Sequence, residues 1–173
     1  MTELNESPAP SSPGRRRTAA RLAAVQALYQ IDLTDATARG VVSEFKRHRL
    51  DGKGEDEIFG KADQALFTEL VDGITTRIAD LDAQIVTALT TEWTIDRLEI
   101  ILRAILRAGT YELMVSLDVP ARVAISEYME IAHSFYAGKE PGLVNGVLDR
   151  LAKTLRASSL PEETGGRRGA GPR

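Results

Sequence analysis

Apolar residues recur at spacings of three and four along most of the chain, beginning with Leu22, Val25, Tyr29 and Leu33. That period is helical, so the pattern predicts a first helix over about Arg16 to Asp35 with this line on its inner face. Val41 to Leu50 reads as a shorter helix, followed by a Gly- and acid-rich loop from Asp51 to Gly60. Asp63 stands where an N-cap belongs, ahead of the apolar line Phe67, Val71, Ile74, Ile78, Leu81 and Ile85. Asp80 and Asp82 predict that this long segment divides in two.

Asp96 with Glu99 fits a capping box and Ile95 with Ile100 a hydrophobic staple, which together open a helix running to about Val115. Its line of Leu98, Ile101, Leu102 and Ile105 is apolar enough for a central position. Pro120 starts another helix, with Ala124, Tyr128, Ile131 and Phe135 as its inner face. The last helix begins near Pro141 and buries Val144, Val147, Leu148, Leu151 and Leu155. Strict alternation of apolar and polar residues is found nowhere. The expectation is an all-α fold, a compact bundle of about six or seven helices over residues 15–156. The Pro- and Ser-rich residues 1–14 and the Gly- and Arg-rich residues 157–173 read as flexible arms, because neither has enough to bury to offset its ordering entropy.

Composition narrows the functional classes. The chain has 173 residues, is 43% apolar and contains no cysteine, which excludes disulfides, a thiolate nucleophile and Cys-ligated metals. No apolar run approaches the roughly 20 residues that span a bilayer, and no membrane role is expected. The N-terminus has neither a basic start nor a hydrophobic stretch, so a cytoplasmic location is expected. His48 and His133 have no second metal ligand at helical spacing and read as surface residues. The loop from Gly54 to Lys61 has five residues between its glycines where a phosphate-binding loop has four, and it carries three carboxylates. The glycines from Gly166 to Gly171 lack the strand and helix of a dinucleotide fingerprint. No enzyme, cofactor or metal site is expected.

Charge changes the picture. The net value of −3 divides into −2 for residues 1–14, +4 for 15–21, −6 for 22–156 and +1 for 157–173. Arg15, Arg16, Arg17 and Arg21 thus form a cationic cluster at a helix start, against the macrodipole and at a cost of a few tenths of a kcal/mol per residue. Stability does not account for such a cluster; anion binding does, with a solubilising patch as the plainer alternative. Guanidinium groups recognise phosphate through several donors at once and stack on unpaired bases, which favours RNA.

Four stretches in order resemble the bacterial NusB family of transcription antitermination factors. They are Arg15-Arg16-Arg17 through Arg21 with Val25-Gln26-Ala27-Leu28-Tyr29; Arg103-Ala104-Ile105-Leu106-Arg107 with Tyr111-Glu112-Leu113; Asp118-Val119-Pro120 with Val123-Ala124-Ile125; and Val144-Asn145-Gly146-Val147-Leu148-Asp149. The resemblance implies a non-catalytic RNA-binding domain over residues 15–156. It also implies binding to boxA RNA of nascent ribosomal transcripts together with NusE, a ribosomal small-subunit protein, in RNA polymerase antitermination complexes. The family's arginine-rich helix start falls on Arg15, Arg16, Arg17 and Arg21. An RNA-binding accessory domain of the ribosomal RNA cytosine methyltransferase type and a helical protein-interaction module are the alternatives, and both monomer and homodimer occur among similar proteins.

The chain also departs from the family pattern. Leu143 stands where many relatives carry a Phe that can meet RNA, Leu102 where an acid is common, and Ser126 where Asn is usual. Lys139 replaces an acid and would hold a phosphate if its surface faces RNA. Tyr29, Tyr111 and Val147 read as core, Trp93 as a seal on the turn before the fifth helix, and Gly146 as a point of close helix packing.

Overall fold

A computed structural model describes residues 12–53, 59 and 61–157, and among these it contains helices and no strand. Seven α-helices follow in order: α1 (Pro13–Thr34), α2 (Ala38–His48), α3 (Gln64–Thr75), α4 (Ile78–Ala88), α5 (Ile100–Val115), α6 (Ala121–Phe135) and α7 (Glu140–Leu155), with a 3-10 turn at Ile95–Arg97 before α5. The all-α expectation holds. Residues 1–11 and 158–173, which make up nearly all of both expected arms, lie outside the described residues, as do 54–58 and 60 of the acidic loop.

Helix starts follow their local chemistry. Ser12 accepts a hydrogen bond from the Arg15 N–H and Pro13 occupies the first turn, so α1 begins before its arginines and takes in Pro13 and Gly14 from the expected arm. Thr37 caps α2 and Asp63 caps α3 in the same way. The break in the long apolar segment falls at Thr76 and Arg77, ahead of Asp80 and Asp82. Asp82 is inside α4 and binds Arg107 at 2.7 Å. The capping box at Asp96 and Glu99 does not form. Residues 95–97 make a 3-10 turn, α5 starts one residue after Glu99, and the Glu99 carboxylate accepts the Tyr136 hydroxyl at 3.0 Å instead.

Helix α5 is central, packing against α1, α3, α4, α6 and α7. Two glycines allow its close contacts. A Cβ on Gly73 would come within 2.3 Å of the Tyr111 hydroxyl, and one on Gly109 within 2.6 Å of Leu148. Gly146, read as a close-packing point, has only the guanidinium of Arg150 nearby at 3.4 Å. Arg156 ties the far end of α5 to the next loop, donating to the carbonyls of Glu112, Leu113, Ser116 and Val119.

The inward face of the first helix is offset from the predicted line, of which Val25 is buried and Leu22 packs partly buried against the core while Tyr29 and Leu33 do not. Ala19, Ala20, Ala23, Ala24 and Ala27 are buried with Val25 and Leu28, whereas Tyr29 is 38% and Leu33 57% exposed. Small side chains let α1 lie close to α3 and α5. Tyr29 and Leu33, together with Phe45, Ile100, Ile101 and Phe135, line an open groove of about 830 Å³. Phe135, expected on the inner face of α6, is 41% exposed at its edge.

Candidate nucleic-acid interface

The arginines of α1 divide into two groups. Arg15 and Arg16 are exposed and Arg17 is half-buried in the first turns of the helix. The Arg16 carbonyl accepts from the Asp63 N–H at 3.0 Å, and its side chain donates to the Lys61 carbonyl at 3.2 Å, which fixes the helix start against the entrance to α3. Arg17 lines a shallow pocket of about 240 Å³ with the α5–α6 loop, including Asp118 and Pro120. Among the described residues, none of these three guanidiniums is paired with a carboxylate.

Arg21, expected to join them on RNA, lines the same pocket as Arg17 but is almost wholly buried and bound to carboxylates. Its side chain is 3% exposed and that of its partner Glu112, on α5, 0%. Arg21 Nε and Nη2 donate to the two Glu112 oxygens at 2.8 and 2.9 Å, a bidentate pair. The Tyr128 hydroxyl of α6 donates to the same carboxylate at 2.5 Å. Glu127 lies 3.5 Å from Arg21 Nη1 and accepts the Thr18 hydroxyl, whose single proton is shared between the two carboxylate oxygens at 3.0 and 2.8 Å. Burial works against the charged guanidinium, but hydrogen bonding and attraction to Glu112 outweigh it and hold the pKa of Arg21 above its ordinary value. Burial, followed by the charge of Glu112, raises the Tyr128 phenol well above its ordinary range, so it stays a donor. The network joins α1, α5 and α6 at the level where the exposed arginines begin, and Arg21 serves as an internal anchor for them.

Sequence reasoning missed Thr18, Glu112, Glu127 and Tyr128 as members of this site. One signal was present: Glu112 sits between Tyr111 and Leu113 in a helix otherwise rich in apolar residues, and a carboxylate buried there requires a cation. Lys139 lies elsewhere. It is the N-cap of α7, with its ammonium 5.3 Å from the centre of the Trp93 ring. Arg17 is beside Pro120 at one end of α6 and Lys139 follows the other, so a 15-residue helix of about 22 Å separates them and the five candidate residues are not one cluster. Leu143 is half-buried against the core.

Among the described residues no helix is long and apolar enough to cross a membrane, and no three His, Cys, Asp or Glu side chains are grouped to hold a metal. Comparison with known proteins settles the lineage: residues 18–153 match the model of the NusB family. The chain belongs to the NusB family. It is 45% identical over 159 residues to the transcription antitermination protein NusB of Rhodopseudomonas palustris (strain BisB18), covering 91% of this chain and 94% of that one. The fold is similar to that of T. maritima NusB, with a TM-score of 0.67, 30% identity, and coverage of 83% of this chain and 92% of that one. It is also similar to a chain in the crystal structure of antitermination factors NusB and NusE in complex with dsRNA, with a TM-score of 0.59, 28% identity, and coverage of 83% and 99%.

Proposed function

We propose that this NusB-family chain is a transcription antitermination protein. It binds boxA RNA of nascent ribosomal transcripts together with NusE, as a non-catalytic adaptor in the RNA polymerase antitermination complex. The observation that carries this reading is family membership over residues 18–153, with a relative of the same fold crystallised with NusE and RNA. Arg15, Arg16 and Arg17 are the RNA contacts, since they are unpaired with carboxylates among the described residues and are held at a helix start where their charge does not serve the helix. Arg21 acts through them by fixing the helix, and Lys139 is a separate phosphate contact if the strand extends along α6.

Residues 22–156 carry 15 basic against 21 acidic side chains, which opposes RNA and limits the affinity of the chain alone. A partner that adds positive surface removes this limit. The groove along the C-terminal half of α1, with Tyr29 38%, Leu33 57% and Phe135 41% exposed, is the face assigned to NusE, since an apolar patch of this kind is normally covered by a protein. Titration of labelled boxA RNA with and without NusE tests the adaptor mechanism. RNA affinity rises when NusE is added, and equal affinities contradict the reading.

A further inference from the structure

Charge counted along the chain treats residues 22–156 as one acidic body, but the fold brings Lys61 to the start of α1 and the basic end of α2 alongside the middle of that helix. Helix α2 ends in Lys46, Arg47 and His48, and Arg49 and Lys53 follow. Gln64 Nε2 donates to the Leu50 carbonyl at 2.8 Å, the neighbouring Asp63 N–H donates to the Arg16 carbonyl at 3.0 Å, and Arg16 Nε donates to the Lys61 carbonyl at 3.2 Å. These bonds tie the end of α2, through the entrance to α3, to the first turn of α1. Arg49 Nη1 donates to Gln26 Oε1, which sets the end of α2 level with Gln26, ten residues or about 15 Å along α1 from Arg16.

Arg47, Lys53 and Lys61 are exposed, and among the described residues none has a carboxylate partner. Residues 15–17 and 46–63 together hold eight Lys and Arg against five Asp and Glu. Of the five, Asp51 and Asp63 accept backbone N–H groups of Lys53 and Leu66, and the other three fall at 55–57, outside the described residues. The helix dipole favours cations in the last turn of α2 and so explains Lys46 and Arg47 in part. It does not explain Lys53 and Lys61, which lie beyond that helix.

We propose that Arg47, Lys53 and Lys61 extend the RNA surface of Arg15 to Arg17 and take backbone phosphates of the nucleotides flanking boxA. The proposal rests on the reading of Arg15 to Arg17 as RNA contacts. Single-stranded RNA is the occupant because Lys61 adjoins Arg16, the end of α2 lies about 15 Å further along α1, within reach of the next few nucleotides of an extended strand, and two of the three added cations are lysines, point charges suited to phosphate without reading sequence.

The test compares two single-stranded RNAs, one limited to boxA and one extended by unrelated flanking nucleotides on both sides. Both are titrated over a range of salt with the full chain and with the Arg47→Ala/Lys53→Ala/Lys61→Ala variant, in which every changed residue is exposed. The unaltered chain binds the extended RNA more tightly and with a steeper salt dependence. In the variant that advantage is lost and the log–log salt slope for the extended RNA falls by about 2, at roughly 0.7 per phosphate contact on a single strand, while binding to the short RNA stays the same. An extended-RNA advantage that persists in the variant, alongside short-RNA binding lost on Arg17→Ala, overturns the α2 extension and leaves the boxA reading standing. If the unaltered chain binds neither RNA, both fall.

Discussion

Arg17 and Arg21 are one turn apart on the same helix and line the same surface pocket, yet they are held in different ways. Arg17 sits half-buried at the rim of a shallow surface pocket with no carboxylate paired to it among the described residues, while Arg21 is 3% exposed and held by both oxygens of Glu112. The difference comes from the opposing helices and not from α1, because Arg21 meets the carboxylates of Glu112 on α5 and Glu127 on α6. A cluster of like charges in sequence is therefore two arrangements in space, one without carboxylate partners, where the proposed RNA contacts lie, and one locked inward by carboxylates.

The inward region is the easier to break, and its loss gives the largest expected effect. Replacing Glu112 by Ala leaves a buried guanidinium without its main partner and costs about 3 to 5 kcal/mol of stability, read from urea denaturation. Combining Arg21→Met and Glu112→Leu with Tyr128→Phe, so that no buried hydroxyl is left without its acceptor, restores most of that stability, because a buried ion pair contributes little beyond an apolar pair of similar volume. Removing one hydroxyl is milder. Tyr128→Phe takes away a hydrogen bond to the Glu112 carboxylate and costs about 1.5 to 3 kcal/mol, while the bidentate contact of Arg21 remains. In the outward region the expected order reverses, with RNA binding weakened and the unfolding midpoint almost unmoved.

Much of the fold is legible in the sequence because helix starts and buried lines are local. Asp63 caps α3 as its position predicts, and Val144, Val147, Leu148 and Leu151 are the buried line of α7. The inward face of α1 is only partly legible from the large residues, since a periodicity that weighs Leu and Tyr above Ala finds Val25 and Leu22 but also selects the exposed Tyr29 and Leu33 over the alanines that meet the core. Glu99 shows a second limit. It satisfies a capping motif on paper, but Tyr136, 37 residues away, takes its carboxylate.

The candidate site shows the same boundary between local and distant information. Arg15, Arg16 and Arg17 stand out by charge alone, and the structure keeps Arg15 and Arg16 exposed and Arg17 at a pocket rim. The fate of Arg21 depends on Glu112, 91 residues further on, and the contact of Lys61 with Arg16 and of the end of α2 with the start of α3 depends on hydrogen bonds between residues 45 and 14 positions apart. Neither follows from spacing along the chain.

The central claim is that the outward arginines contact RNA while the inward one holds them in place. Its most direct measurement is the salt dependence of boxA RNA binding by the Arg15→Ala/Arg16→Ala/Arg17→Ala variant, with its urea unfolding midpoint measured in parallel. The expected result is a log–log slope smaller by about 2, weaker binding and a midpoint lowered only slightly, by loss of the exposed Arg16 to Lys61 hydrogen bond. An unchanged slope and affinity in a fully folded variant would contradict it.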